Sequence, residues 1–395
     1  MLAKRPKHLL SALRAAFRIV LFLSPLLFGF LPPALAIETI AEQAFLIDMT
    51  TGEVLFEKNA DQPMAPASMS KMMTAYMIFE RLRDGSLTLE DTFTVSENAW
   101  RKGGAKSGGS TMFLEPGKRV KLEDLLRGII VQSGNDACIV VAEALASSEA
   151  AFAEEMTVRA KELGLQNTVF KNATGWPDPE HLTTAQDLAL LAKRTITDFA
   201  EYYHYYAEKE FTYNTIRQIN RNPLLYKNID ADGLKTGHTV ESEYGLTASA
   251  TNGDRRLILV VNGLATKKDR SREPERLLNW GFSDFNNYRL FSAGEEVTEA
   301  DVWLGKEDKV PLVIEREMLL TIARKARHKM KVTVTFENPI PAPIAKGDPV
   351  AKLVLTVPGR DKLEVPLLAG AAVERLGLFG RLGTALKAIL WGESG

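Results

Sequence analysis

One stretch constrains the fold more than any other: Ala65-Pro66-Ala67-Ser68-Met69-Ser70-Lys71, followed by the apolar residues Met72, Met73, Tyr76, Ile78, Phe79 and Leu82. The apolar positions recur at three- and four-residue steps, the pattern of a well-buried helix. Pro66 suits the first turn of that helix, where its missing N–H costs nothing. Ser68 and Lys71 are three apart, so on a helix they share a face and their side chains can meet. A serine hydroxyl needs a base to lose its proton, and a desolvated lysine amine can supply one. The positive end of the helix favours negative charge developing beside Ser68.

Length and composition set outer bounds. The chain has 395 residues, room for two or three domains, with a net charge of -1 that gives no basis for nucleic-acid binding. The single cysteine, Cys138, precludes an internal disulfide and lies in an apolar helical stretch as a small buried residue. Residues 1–36 combine Lys4, Arg5, Lys7, Arg14 and Arg18 with an apolar run from Ile19 to Leu31 and an ending at Ala34-Leu35-Ala36. That is the layout of a secretory signal cleaved after Ala36, since the apolar run is shorter than the roughly 20 residues that span a bilayer. The mature chain is then expected outside the cytoplasm.

Residues 37–285 read as a mixed α+β domain. A hairpin (Ala44–Asp48 and Glu53–Phe56) precedes the Ser68 helix, and a second hairpin turns at Asn252-Gly253-Asp254. Helices lie between them, with a final one over Arg272–Phe282. The glycine-rich run from Arg101 to Ser110 is expected to be an exposed loop and lacks the spacing of a phosphate loop. Gln132-Ser133-Gly134-Asn135 breaks two apolar helices and can project polar side chains into a cleft. Asp232–Thr239 reads as a turn entering a strand. Residues 286–370 alternate with period two between prolines, a small β domain without chemical motifs. In residues 371–395, Leu376, Leu378, Phe379, Leu382, Leu386, Ile389 and Leu390 fall on one half of a helical wheel, the pattern of a helix lying in a membrane surface.

Three short motifs therefore occur in order: Ser68-x-x-Lys71, Ser133-Gly134-Asn135 and Lys235-Thr236-Gly237. Each alone is weak; a Ser-x-x-Lys occurs about once by chance in a chain of this length. Together, behind an export signal, they match the signature of penicillin-recognising serine enzymes. The sequence resembles the low-molecular-mass penicillin-binding proteins that are D-alanyl-D-alanine carboxypeptidases. Phe170-Lys171-Asn172-Ala173-Thr174-Gly175 and Lys235-Thr236-Gly237-His238-Thr239 also look like family sequence.

The resemblance implies a penicillin-binding, β-lactamase-like transpeptidase domain, then a small all-β domain and an amphipathic anchor helix. It implies that Ser68 forms an acyl-enzyme with peptidoglycan stem peptides, releasing D-alanine, and is acylated by β-lactam antibiotics. Lys71 would be the base, Ser133 would pass a proton to the leaving nitrogen, and Asn135 would hold Lys71 and the peptide backbone. Lys235, Thr236 and Gly237 would bind the terminal carboxylate, and the charge of Lys235 would help keep Lys71 neutral. Backbone N–H groups of Ser68 and His238 would form an oxyanion hole. The side chains of His181 and His238 are expected to be structural. No metal or organic cofactor is implied. An endopeptidase cutting cross-links would need the same motifs, as would a slow-turnover penicillin-binding scaffold. A class A β-lactamase would need a Glu-x-x-Leu-Asn deacylation motif between Ser133 and Lys235, which is absent.

Overall fold

The computed structural model describes residues 37–380 and 382–383. The leader and all but the first turn of the tail helix lie outside the described residues.

The first domain is built on five antiparallel strands in the order β2-β1-β9-β8-β7. These are β1 (Gln43–Asp48), β2 (Val54–Lys58), β7 (Asp230–Thr239), β8 (Glu243–Asn252) and β9 (Arg255–Leu264). Two small hairpins, β3 (Thr92–Thr94) with β4 (Arg119–Lys121) and β5 (Glu210–Tyr213) with β6 (Ile216–Ile219), lie between β2 and β7 in sequence. The central strand β9 is buried on both faces from Leu257 to Leu264. Its alternation sorts two cores. Ile258 and Val260 join the large cluster that includes Met69, Met72, Tyr76 and Phe79. On the other face, Leu257 meets Gly281 of the helix α7 (Lys267–Asp284), where an added Cβ would lie 2.8 Å from Leu257 Cδ1.

The large cluster surrounds α1 (Lys71–Arg83), every residue of which is buried from Lys71 to Phe79. Packed around it are α4 (Asn135–Ala146), α5 (Glu149–Leu163) and α6 (Ala185–Asp198), with α2 (Glu97–Gly103) and α3 (Leu122–Arg127) beyond. Caps fix their starts: the Thr184 hydroxyl accepts from Asp187 N and the Ser148 hydroxyl from Ala151 N. The glycine-rich run departs from the expected open loop. Arg101–Gly103 close α2, and Gly103 is buried where a Cβ would lie 2.2 Å from Asp136 N. Glycine there serves close packing of α2 on α4; only Ala105–Ser110 remains at the cleft rim. Asp232–Gly233, expected as a turn, lies within β7.

The second domain starts at β10 (Phe285–Phe291), which pairs with β13 (Met318–Ala323). The remaining strands are β11 (Glu296–Trp303), β12 (Lys309–Ile314), β14 (Lys331–Thr335), β15 (Ile340–Pro341), β16 (Pro349–Thr356) and β17 (Leu363–Ala369). They form a six-stranded sheet in the order β14-β16-β17-β12-β11-β15 over a separate apolar core. Buried Asp48 joins the domains: it takes Arg255 at 3.1 Å and Asn287 Nδ2 at 3.3 Å, and Arg255 also donates to Phe285 O. Residues 371–376, assigned to the tail on sequence, are tied to this domain. Val373 bridges Ile344, Arg375 bridges Gly305, and Leu376 N donates to Leu304 O. Helical backbone begins only at Leu378.

Candidate active site

Ser68 lies in a 3-10 turn, Ala67–Ser70, that feeds directly into α1 at Lys71. Lys71 is buried, and its Nζ has three neighbours: Ser68 Oγ at 2.9 Å, Asn135 Oδ1 at 2.8 Å and Thr174 O at 2.5 Å. The amide and carbonyl oxygens can only accept hydrogen bonds. A neutral amine therefore spends both N–H groups on Asn135 and Thr174 and directs its lone pair at Ser68 Oγ. Burial, with Arg221 nearby, lowers the Lys71 pKa to about 8, which puts the neutral amine within reach near pH 7 and makes it the major form above pH 8. Cys138, close by, stays a neutral thiol because burial pushes it up to about 12.

Each partner of Lys71 is held by local sequence. Asn135 is the first residue of α4, its N–H donating to Ser110 O at 2.7 Å. Asp136 follows, wholly buried, and its carboxylate accepts from Thr111 Oγ1, Met112 N and Leu114 N. That clamp ties the 110–114 segment to the helix start, where negative charge is favourable. Thr174 O is presented by the 172–176 turn, which winds around Asn172 Oδ1: Thr174 N, Gly175 N and Trp176 N all donate to it. Gly175 has φ +77°, and a Cβ there would lie 1.8 Å from Ala67 O, so only glycine lets this turn meet the nucleophile.

A second clamp lies behind Ser68. The buried Ser70 hydroxyl donates to Ala67 O at 2.9 Å and lies 2.8 Å from His181 Nε2. Lys171 N donates to His181 Nδ1 at 3.2 Å, which makes Nε2 the protonated nitrogen and its N–H the donor to Ser70. Burial lowers the His181 pKa to about 4, so the ring is neutral near pH 7. The chain Lys171–His181–Ser70 thus fixes the carbonyl of Ala67, whose φ is +46°, and with it the plane of the peptide ending in Ser68 N.

Ser133 closes a π-helical turn, Gly128–Gln132, with φ +66°. Its hydroxyl is buried and has no hydrogen-bond partner among the described residues. A glycine would relieve that backbone and remove the hydroxyl. Across the cleft, β7 supplies Thr236, Gly237 and His238 to the wall. Lys235, on the same strand, is buried. Burial, and then the Lys71 ammonium, hold its pKa well below that of an ordinary lysine. The His238 ring is stacked on Tyr244 at 3.9 Å, leaving its backbone at the cleft. Ser68, Ser133, Asn135, Thr236, Gly237 and His238 thus line one cleft of about 840 Å³, with Lys71 and Lys235 buried beneath its surface.

Two cationic residues of the cleft carry no local signal in the sequence. Arg221 donates to Ser110 Oγ at 2.6 Å, and Arg270 donates to Gly237 O at 3.2 Å over the Tyr244 ring. Burial lowers both, Arg270 to about 10. Both come from elements remote in sequence from the three motifs, and only the fold brings them in. Among the described residues no cluster of side chains could hold a metal ion.

A serine hydroxyl within reach of a lysine whose pKa is held near 8 can be deprotonated for attack on a carbonyl, which points to serine acyl transfer. Comparison with known proteins gives the family. Residues 32–266 match the D-alanyl-D-alanine carboxypeptidase family and residues 285–375 the penicillin-binding protein 5 C-terminal domain. The D-alanyl-D-alanine carboxypeptidase DacC of Escherichia coli K12 is 41% identical over 369 residues, covering 91% of this chain and 92% of the relative. DacF of Bacillus subtilis 168 is 37% identical over 343 residues, covering 85% and 87%. The crystal structure of penicillin-binding protein 5 from Haemophilus influenzae superposes with a TM-score of 0.72 at 37% identity, covering 86% of this chain and 99% of that one. The chain belongs to the D-alanyl-D-alanine carboxypeptidase family and is a serine-type D-Ala-D-Ala carboxypeptidase.

Proposed function

We propose that Ser68 Oγ attacks the carbonyl carbon between the last two D-alanines of a peptidoglycan stem peptide while Lys71 Nζ takes its proton. The contact that supports this reading is Lys71 Nζ at 2.9 Å from Ser68 Oγ, with its other bonds going to acceptors. The tetrahedral oxyanion is met by the N–H groups of Ser68 and His238. As the C–N bond breaks, the proton on Lys71 passes through Ser133 Oγ to the departing amine of D-alanine. Water then cleaves the ester, releasing the shortened peptide acid and returning the proton to Ser68. Asn135 orients Lys71 and the peptide.

Lys235, Thr236 and Gly237 receive the terminal carboxylate, with Arg221 and Arg270 adding to the positive field. Burial disfavours a charged Lys235 in the empty site. An arriving carboxylate reverses that preference, so the lysine binds as an ammonium. A β-lactam carries a comparable amide and carboxylate and acylates the same serine.

The deciding experiment measures D-alanine release from a soluble pentapeptide and cleavage of a cross-linked muropeptide dimer, using wild type and Ser68→Ala. Ser68-dependent release from the monomer alone is expected; cleavage of the dimer would make the protein an endopeptidase. Absence of turnover with a stable penicillin adduct would make it a scaffold.

We further infer export behind residues 1–36 and attachment to a membrane surface through the tail. Leu378, Phe379 and Leu382 support the attachment, being 64%, 88% and 55% exposed where the β domain ends. Truncation after Gly377 preserves the strand bridges and should release the protein from membranes; unchanged pelleting would refute the anchor.

A further inference from the structure

Next to the catalytic cleft is a smaller slot of about 270 Å³ that the reaction above does not use. Its walls are largely apolar and include Pro66, Ala67, Trp176, Pro177 and Leu182. It shares Gly175, Trp176, Pro177, Thr239 and Glu241 with the cleft, so a ligand can run from one into the other. Two carboxylates, Asp178 and Glu241, also line it. Neither takes part in an ion pair among the described residues. His181, three residues from Asp178, also lines the slot, but burial lowers its pKa to about 4 and keeps the ring neutral, and Lys171 is engaged with Glu180 at 2.7 Å.

We propose that this slot is a specificity subsite for an aliphatic side chain ending in an ammonium, borne by the substrate residue that precedes D-Ala-D-Ala. The slot's apolar walls suit the methylene stem, and its two carboxylates suit the charged end. Register along β7 supports the assignment. A strand advances about 3.3 Å per residue, so Thr236 and Thr239 are about 10 Å apart along it. An extended peptide with its terminal carboxylate at Thr236 puts the third residue from its end at about the same distance, beside Thr239 and the slot. The charge pattern runs the same way: Arg221, Lys235 and Arg270 belong to the carboxylate end, Asp178 and Glu241 to the other. This inference rests on the seating of the carboxylate at Lys235–Gly237 proposed above.

The test compares kcat/KM for D-alanine release from Nα-acetyl-L-Lys-D-Ala-D-Ala and from its Nε-acetylated and norleucine analogues. Wild type is expected to favour the free amine about three- to tenfold, less so as salt screens the pair. In Asp178→Asn/Glu241→Gln the preference should collapse toward unity, while release from the norleucine peptide and acylation by benzylpenicillin change less than twofold. Asparagine at 178 can still accept the Glu180 N–H that Asp178 Oδ1 accepts at 2.8 Å, so the turn is retained. Equal rates for all three peptides in wild type would overturn the subsite, as would a preference that survives in the double variant. An equal loss on every substrate, penicillin included, would make the carboxylates structural and also overturn it. Lys235→Ala separates the two readings. Full activity in that variant would remove the carboxylate seat and the register argument with it, whereas an impaired Lys235→Ala enzyme alongside a wild type without amine preference would sink the slot alone.

Discussion

Lys71 and Lys235 in the transpeptidase domain are the same side chain as Lys309 and Lys352 in the β domain, in opposite circumstances. The first two are buried and held below the ordinary lysine range by loss of water. The other two are more than half exposed and lie 3.2 and 3.1 Å from Glu299 and Glu364. One domain spends stability on charges it cannot solvate; the other keeps its charges where they cost little and do little. Buried amines whose charged form burial disfavours are a reservoir for chemistry, because one can take a proton from a serine and the other is stabilised as an ammonium by an incoming carboxylate. Among the described residues, the β domain buries no charged side chain and so has no such reservoir.

The comparison predicts its largest effect at Lys71. Lys71→Met should lower the rate of Ser68 acylation by penicillin by at least about a thousandfold, since the base is lost. The same change leaves Asn135 Oδ1 and Thr174 O without their donor, which costs stability. Removing an amine whose charged form burial disfavours offsets part of that cost, so the variant should stay folded with a lowered melting temperature. A variant that is dead because it is unfolded would break the comparison, and a thermal melt distinguishes the cases.

The next effect is on pH. With the base pKa near 8, kcat/KM should climb about tenfold per unit as pH rises toward 8 and level off above it. A profile flat from pH 6 to 9 would contradict a neutral-lysine base. Stability carries the matching sign. The native Lys71 pKa lies below its value of 10.5 in an unfolded chain, so between about 8 and 10.5 the unfolded state binds more protons. Lys71 therefore contributes stability that rises with pH across that window. The difference in unfolding free energy between wild type and Lys71→Met should shift in favour of wild type from pH 8 to 10.

A smaller effect is expected behind the nucleophile. Ser70→Ala removes the hydroxyl that joins His181 to Ala67 O, loosening the peptide whose N–H faces the oxyanion. Acylation should slow about tenfold with KM little changed, and unfolding free energy should fall by about 1–2 kcal/mol. Ser70→Thr, which retains the hydroxyl, should restore most of the rate. His181 also makes a pH signature: its native pKa, about 4, lies below the ordinary 6.5, so its contribution to stability falls as pH drops from about 6.5 toward 4.

Much of this was legible in the chain because the chemistry is local in sequence. Ser68 and Lys71 are one helical turn apart, Ser133 and Asn135 flank one helix break, and Lys235 to His238 share one strand. The β domain was legible from alternation, as in Val332–Phe336. What was hidden depends on closure in space. Arg221 and Arg270 come from a loop and a helix that meet the cleft only once β7 is in place. The Ser70–His181 clamp spans 111 residues. Gly103 resembled loop glycine because sequence does not reveal that α4 crosses against it. The boundary of the tail at residue 371 was set too early, because nothing local in the sequence signals that Val373 and Arg375 form isolated bridges to the β domain.

The smallest expected effect is the control that gives the others meaning. Lys352 on β16 and Glu364 on β17 meet diagonally, Lys352 lying opposite Pro366 and Glu364 opposite Val354, with side chains 64% and 53% exposed. Water screens such a pair, and holding two long side chains together costs entropy, so its net worth is below about 0.5 kcal/mol. Lys352→Met should leave kcat/KM on a soluble pentapeptide unchanged and move the unfolding free energy by no more than that amount. A thousandfold contrast in rate between Lys71→Met and Lys352→Met, with both variants folded, would locate the difference between the domains in the buried amine. If Lys352→Met instead impaired D-alanine release, the β domain's surface charges would take part in the reaction, and the reading of them as inert would fall.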